Sequence, residues 1–194
     1  MNIAVYSGSF DPIHTGHAML ASYCTQYCDG VDQVWLMVSP QNPLKPVTTT
    51  AGERQRLDMA RLVAEGCNGV YASDFETGLP RPSYTYHTLC ALRRQMPQHH
   101  FRLMIGSDNW LMFQKWKDWE NILSEFGLLI YPRPGYPVDT DSLPDNATYL
   151  ADAPQIELSS TFIREGLRQR LSMNYFLPSS VYKYILDNNL YGTH

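Results

Sequence analysis

Apolar and polar positions fall in alternating blocks along the chain. Residues 3–6 form a short apolar run that ends in Ser7-Gly8-Ser9, the pattern of a strand entering a tight turn. From 15 to about 28, Ala18, Leu20, Ala21, Cys24, Tyr27 and Cys28 recur at helical spacing and predict a helix with one buried face. Residues 34–38 are apolar throughout and bounded by Ser39-Pro40, as in a strand covered on both faces of a parallel sheet. A Pro-rich loop over 40–46 leads into a charged helix over 51–64 that carries Leu57, Met59, Leu62 and Val63. Residues 70–75 read as a third strand, and 84–96 as a helix that stops before Pro97. A fourth strand over 101–105 closes on Gly106-Ser107-Asp108, and a fifth over 127–131 closes on Pro132-Arg133-Pro134-Gly135. In the tail, 148–150 is a short strand, and 160–169 and 179–188 are helical. This alternation predicts a Rossmann-like, doubly wound α/β parallel sheet with a small C-terminal helical segment, about 159–194, in one domain of 1–194. Ligands are then expected beyond the carboxyl ends of the strands.

Composition narrows the picture. The 194 residues carry 15 Lys plus Arg against 19 Asp plus Glu, a net charge of −4, which argues against a protein that coats nucleic acid. No apolar run approaches the ~18 residues that span a bilayer. The start runs directly into strand-like sequence without a basic leader, so the expected location is the cytoplasm. The four cysteines include no Cys-x-x-Cys pair and are expected to be reduced thiols rather than disulfides or zinc ligands. Met37, Met59, Met104 and Met112 fit core positions.

The chemistry concentrates in Gly8-Ser9-Phe10-Asp11-Pro12-Ile13-His14-Thr15-Gly16-His17, between the first strand and the first helix. Gly8 permits a sharp turn and close approach of a ligand. Thr15 is the expected N-cap, and the helix start offers unpaired amides that favour an anion, commonly phosphate. His14 and His17 add imidazole donors there, with Gly16 leaving space between them. The segment lacks the Gly-Lys-Ser/Thr ending of a Walker loop and is not a dinucleotide Gly-x-Gly-x-x-Gly turn. Near the other end, Ser159-Ser160-Thr161 opens a helix with Arg164 one turn inside. These hydroxyls either cap the helix or, with Arg164, form a second wall for a polyphosphate.

His14-Thr15-Gly16-His17 together with Ser159-Ser160-Thr161-Phe162-Ile163-Arg164 resembles the nucleotidyltransferase superfamily of Rossmann-like adenylyltransferases. Arg81-Pro82-Ser83-Tyr84-Thr85, Ile105-Gly106-Ser107-Asp108, the region around Trp116 and Arg133-Pro134-Gly135-Tyr136-Pro137 narrow the resemblance to the bacterial nicotinate-nucleotide adenylyltransferases, over essentially the whole chain. The resemblance implies transfer of the adenylyl group of ATP to nicotinate mononucleotide, giving deamido-NAD and pyrophosphate, by direct in-line attack. It also implies Mg²⁺ carried with the triphosphate, with no protein ligand assigned, and leaves a homo-oligomer open. Acceptors such as nicotinamide mononucleotide or phosphopantetheine, and a non-catalytic relative, are the competing readings.

By the same resemblance, His14, His17 and Arg164 are catalytic, and Gly8, Ser9 and Phe10 form the floor under the reacting phosphates. Ser159, Ser160, Thr161 and Arg164 hold the outer phosphates, Gly106 and Asp108 contact adenosine and ribose, and Arg133 lies near the bound nucleotide. Asp108 is otherwise a helix cap. The mononucleotide side is implied at Ser83, Tyr84, Thr85, Trp116 and Lys45. Trp116 either stacks on the pyridine ring or packs with its neighbours, with Trp119 as the expected partner; Ser83 alone is explained by N-capping. Lys45 follows Asn42-Pro43-Leu44 where the family often has Pro-Pro-His, so a solvated lysine fits it equally.

Overall fold

The structure, a computed structural model, describes residues 1–40 and 51–193. Lys45 lies outside the described residues. The chain runs β1 (Asn2–Gly8), α1 (Thr15–Tyr27), β2 (Gln33–Val38), α2 (Glu53–Glu65), β3 (Val70–Ser73), α3 (Thr85–Gln95), β4 (His100–Gly106), α4 (Ser107–Trp110), α5 (Trp119–Glu125), β5 (Leu128–Tyr131), β6 (Ala147–Tyr149), α6 (Ser160–Arg168) and α7 (Ser179–Asp187). Short 3₁₀ turns lie at Phe75–Gly78, Phe113–Lys115 and Leu190–Gly192. The six strands form one sheet in the order β3-β2-β1-β4-β5-β6 with every pairing parallel. The strand order reverses between β1 and β4, the crevice where open α/β sheets bind ligands.

The period of two along β1 sorts the two cores. Ala4 and Tyr6 face α1, α2, α6 and α7 through Leu20, Met59, Ile163 and Val181. Ile3 and Val5 face the opposite layer with Leu89 and Leu92 of α3 and Ile122 of α5. Each such fully buried aliphatic side chain contributes about 1.5–3 kcal/mol relative to exposure. The C-terminal helices thus share the core that supports β1, which brings α6 to the carboxyl edge of the sheet. Among the described residues, no helix is long and apolar enough to cross a membrane, and all four cysteines are free.

Two expectations are corrected. The N-cap of α1 is His14, not Thr15: His14 has extended backbone at φ −135°, and helical bonding begins from its carbonyl to the amides of His17 and Ala18. Met112 is 52% exposed rather than in the core, because the turn after α4 inserts Phe113 and leaves Leu111 and Met112 outside. Met37, Met59 and Met104 are fully buried as expected. The short helices α4 and α5, absent from the sequence reading, bracket Trp116.

Candidate active site

β1 delivers Gly8 to the crevice, and the loop from Ser9 to His14 then turns across the carboxyl edge of the sheet. Phe10 adopts φ 47° there and lays its ring beneath Gly8, where a Cβ would come within 3.1 Å of the ring. The loop carbonyls are drawn away one by one. Arg56 of α2, 2% exposed, donates to Ser9 O at 2.6 Å, Ser39 O at 2.8 Å and Pro40 O at 3.3 Å. Arg164 Nη1 donates to Asp11 O at 2.7 Å, and Ser160 Oγ donates to Pro12 O at 2.9 Å. Asp11 is itself buried, its Oδ1 accepting from Tyr191 Oη at 2.7 Å and from the Ala51 amide at 3.2 Å. With these carbonyl dipoles pulled outward, the α1 end of the loop offers an anion its positive groups.

The two imidazoles stack with centroids 3.7 Å apart and planes 22° from parallel. His17 Nδ1 accepts the His14 amide at 3.2 Å, which assigns the neutral His17 proton to Nε2 and makes that nitrogen a donor. The His17 ring is fixed by edge contacts with Phe10 at 5.1 Å and Tyr6 at 5.9 Å. Burial, reinforced by the positive charge of Arg133, pulls His14 down to a pKa of about 4, so it is neutral at pH 7. Gly16 keeps α1 close to its surroundings: a Cβ would lie 2.9 Å from Ile156 Cγ2 and 3.2 Å from the His14 ring.

His14 carries a stability prediction. An unfolded histidine binds its proton near pH ~6.5, whereas the folded one stays neutral to about pH 4. The unfolded chain therefore holds more protons between these values. His14-linked stability is complete above pH ~6.5 and is lost by about 3 kcal/mol as the pH falls to about 4. Urea unfolding of His14→Gln should show a shallower loss over this window than the native chain; equal slopes would mean His14 titrates as in an open chain.

A cavity of about 510 Å³ opens over this loop. Gly8, Ser9, Phe10, His14 and His17 line one side, Ser159, Ser160, Thr161 and Arg164 the α6 side, and Asp108 and Arg133 the β4–β5 side. His17 and Arg164, far apart in sequence, thus face one chamber. The α6 hydroxyls already have structural partners: Ser159 caps α6 by accepting the Phe162 amide at 3.2 Å, and Thr161 Oγ1 accepts from Arg164 Nη2 at 3.2 Å. Arg133 Nη1 lies 3.7 Å from Asp108 Oδ2, and its amide donates to Ser107 Oγ at 2.9 Å. Asp108 belongs to α4, one residue after its start, and pairs with Arg133 rather than capping the helix. Gly106 admits this pair, since a Cβ there would strike the Asp108 carboxylate and the Arg133 side chain. Among the described residues, no group of three or more His, Cys, Asp or Glu side chains could hold a metal ion.

A second cavity of about 280 Å³ lies on the α3 side, and Tyr6, Ser7, Gly8, Ser9, Asn109 and Tyr131 line both chambers. Ser83, Tyr84, Thr85 and Trp116, expected on the mononucleotide side, line it together, and so does Gly106, expected near adenosine. Trp116 packs on Phe113 at 5.7 Å, and Trp119 meets the same ring at 6.2 Å, so Phe113 joins the two indoles. Ser83 Oγ donates to Oε1 of Glu76, which borders the same chamber, at 2.7 Å. Tyr84 is the N-cap of α3 and supplies no capping side-chain bond. Burial raises the pKa of Glu76.

Residues 5–166 match the cytidylyltransferase-like family. A relative from Bacteroides fragilis, described as a "Probable nicotinate-nucleotide adenylyltransferase", is 48% identical over 183 residues, covering 94% of this chain and 90% of its own. The chain belongs to the nicotinate-nucleotide adenylyltransferase family. Relatives with the same description from Bacteroides thetaiotaomicron and Cytophaga hutchinsonii are 45% and 38% identical, covering 96% and 100% of this chain and 92% and 100% of theirs. The fold agrees: a Plasmodium falciparum nicotinic acid mononucleotide adenylyltransferase complexed with NaAD superposes with a TM-score of 0.81 at 20% identity, covering 100% of this chain and 98% of that one. Arg56 and Tyr191, which hold the first loop, and Glu76, which borders the smaller chamber, are residues that the sequence reading missed. Arg56 and Tyr191 act through contacts distant in sequence, and a lone Arg in a charged helix or a Tyr near the terminus gives no local signal.

Proposed function

We propose that this chain transfers the adenylyl group of ATP to nicotinate mononucleotide, yielding deamido-NAD and pyrophosphate, by direct in-line displacement in one domain. The observation that carries this reading is the pair of chambers sharing the Tyr6–Ser9 floor. A triphosphate in the larger and a mononucleotide in the smaller bring the acceptor phosphate to the α-phosphorus over Gly8 and Ser9. The acceptor oxygen forms its bond to the α-phosphorus, the bond from that phosphorus to the β-phosphate bridging oxygen breaks, and pyrophosphate takes the electron pair. The attacking oxygen is already ionised, so no general base is required, and catalysis consists of alignment and charge stabilisation.

His17 Nε2–H and the α1 amides meet the charge moving on the phosphates, with His14 as the neutral second donor. Arg164, Ser159, Ser160 and Thr161 hold the outer phosphates, and Asp108 and Arg133 flank the nucleoside. A Mg²⁺ ion bound with ATP would supply charge neutralisation at the triphosphate. The two carboxylates lining the large chamber, Asp11 and Asp108, are engaged by Tyr191 and Arg133, which fits an ion held by phosphate oxygens and water. The reading makes this a cytoplasmic enzyme of NAD biosynthesis acting on small molecules, not on nucleic acid, and a homo-oligomer is compatible with it. Pyrophosphate release with ATP, Mg²⁺ and each candidate acceptor tests the proposal: release with nicotinate mononucleotide is expected, and release with none overturns it. Trp116→Ala should raise the KM for the mononucleotide with a smaller change for ATP, because the indole lines only the smaller chamber. An unchanged mononucleotide KM would remove Trp116 from the site.

A further inference from the structure

The smaller chamber holds one unusual combination. Its α3 corner is a helix start whose neighbouring hydroxyl, Ser83, donates backward to the buried Glu76 instead of capping. Glu76 itself borders the chamber, and a carboxyl group there works against admitting a second carboxylate. On the open side of the same turn, the Lys117 ammonium sits 4.4 Å from the centroid of the Tyr84 ring, held by cation–π attraction beside Trp116.

We propose that the Lys117 side chain is a specificity-determining residue that favours a mononucleotide with a ring carboxylate over one with a ring amide. The inference rests on the nicotinate mononucleotide reading above. Both acceptors carry the same phosphate, so any attraction of Lys117 to phosphate cancels in the acid-to-amide ratio. Only attraction to the ring substituent survives that comparison. Lys117 is exposed at the rim of the chamber, so its effect is that of a solvent-screened charge rather than a buried one.

The test compares kcat/KM for nicotinate and nicotinamide mononucleotides in the native chain, Lys117→Met and Lys117→Arg, at salt of about 20 and about 500 mM. Lys117→Met should lower the acid's kcat/KM about two- to five-fold, through KM, and leave the amide's unchanged. High salt should erode the native preference and leave that of Lys117→Met unchanged. Lys117→Arg should retain most of the preference. If the native chain does not turn over the amide, its inhibition constant against the acid supplies the ratio. An equal fall for both acceptors would assign Lys117 to the phosphate, and no change would leave it a solvated lysine; either overturns the proposal. A native chain that releases no pyrophosphate with the acid would instead overturn the activity reading.

Discussion

His17→Ala should lower kcat about 10²–10³-fold while leaving the KM for ATP within a few-fold, the scale of removing one oriented donor to developing charge. The ring cannot be treated as a generic cation. Its Nδ1 is taken by the His14 amide, its faces and edges by His14, Phe10 and Tyr6, so orientation and proton position are set before substrate arrives. That preorganisation makes Nε2–H worth more in the transition state than a mobile donor would be, because no reorganisation accompanies charge movement. The variant also removes the acceptor of the His14 amide, a loss of about 1 kcal/mol in stability that thermal unfolding will register. Near-native turnover in a folded His17→Ala protein would move the charge-stabilising role elsewhere in the chamber.

The sheet was legible because its information is local. Short apolar runs bounded by turn residues, such as 34–38 and the run over 101–105 broken only by Arg102, read as strands, and the structure places both within the parallel sheet. The first loop was legible for a related reason: Gly8, His14, Gly16 and His17 lie within ten residues, so chemistry and backbone requirement are printed together. What escaped was everything fixed at a distance. Thr15 looked like the cap because it is a capping residue type, yet the loop enters α1 one residue earlier, at His14. Ser83 does not cap α3, because the cap is Tyr84 and the Ser83 hydroxyl donates to a carboxyl seven residues upstream. The helix α5 is only seven residues long and carries too few periods for a pattern to emerge.

Arg56→Met should destabilise the fold by about 3–5 kcal/mol, lowering Tm by about 6–20 °C for a chain of this size. Arg56 is almost fully enclosed, and burial pulls its pKa down from the ordinary arginine value, opposed by the nearby charge of Asp11. The guanidinium is tolerated there because it satisfies three carbonyls at once. Methionine fills a similar volume but leaves those carbonyls without the donor, and desolvated acceptors are what make such a change costly. The functional consequence follows from where two of the carbonyls lie. Ser9 O belongs to the floor between the chambers, and Ser39 O marks the end of β2, so the same cation locks the active-site loop to the neighbouring strand exit. Released from it, Ser9 O is able to turn toward the phosphates and oppose them. Arg56→Met should therefore lose turnover even below its own Tm, with KM rising for both substrates because both chambers share that floor. A variant as stable as the native chain, or one destabilised but fully active at low temperature, would show that the loop is held by Arg164, Ser160 and Tyr191 alone.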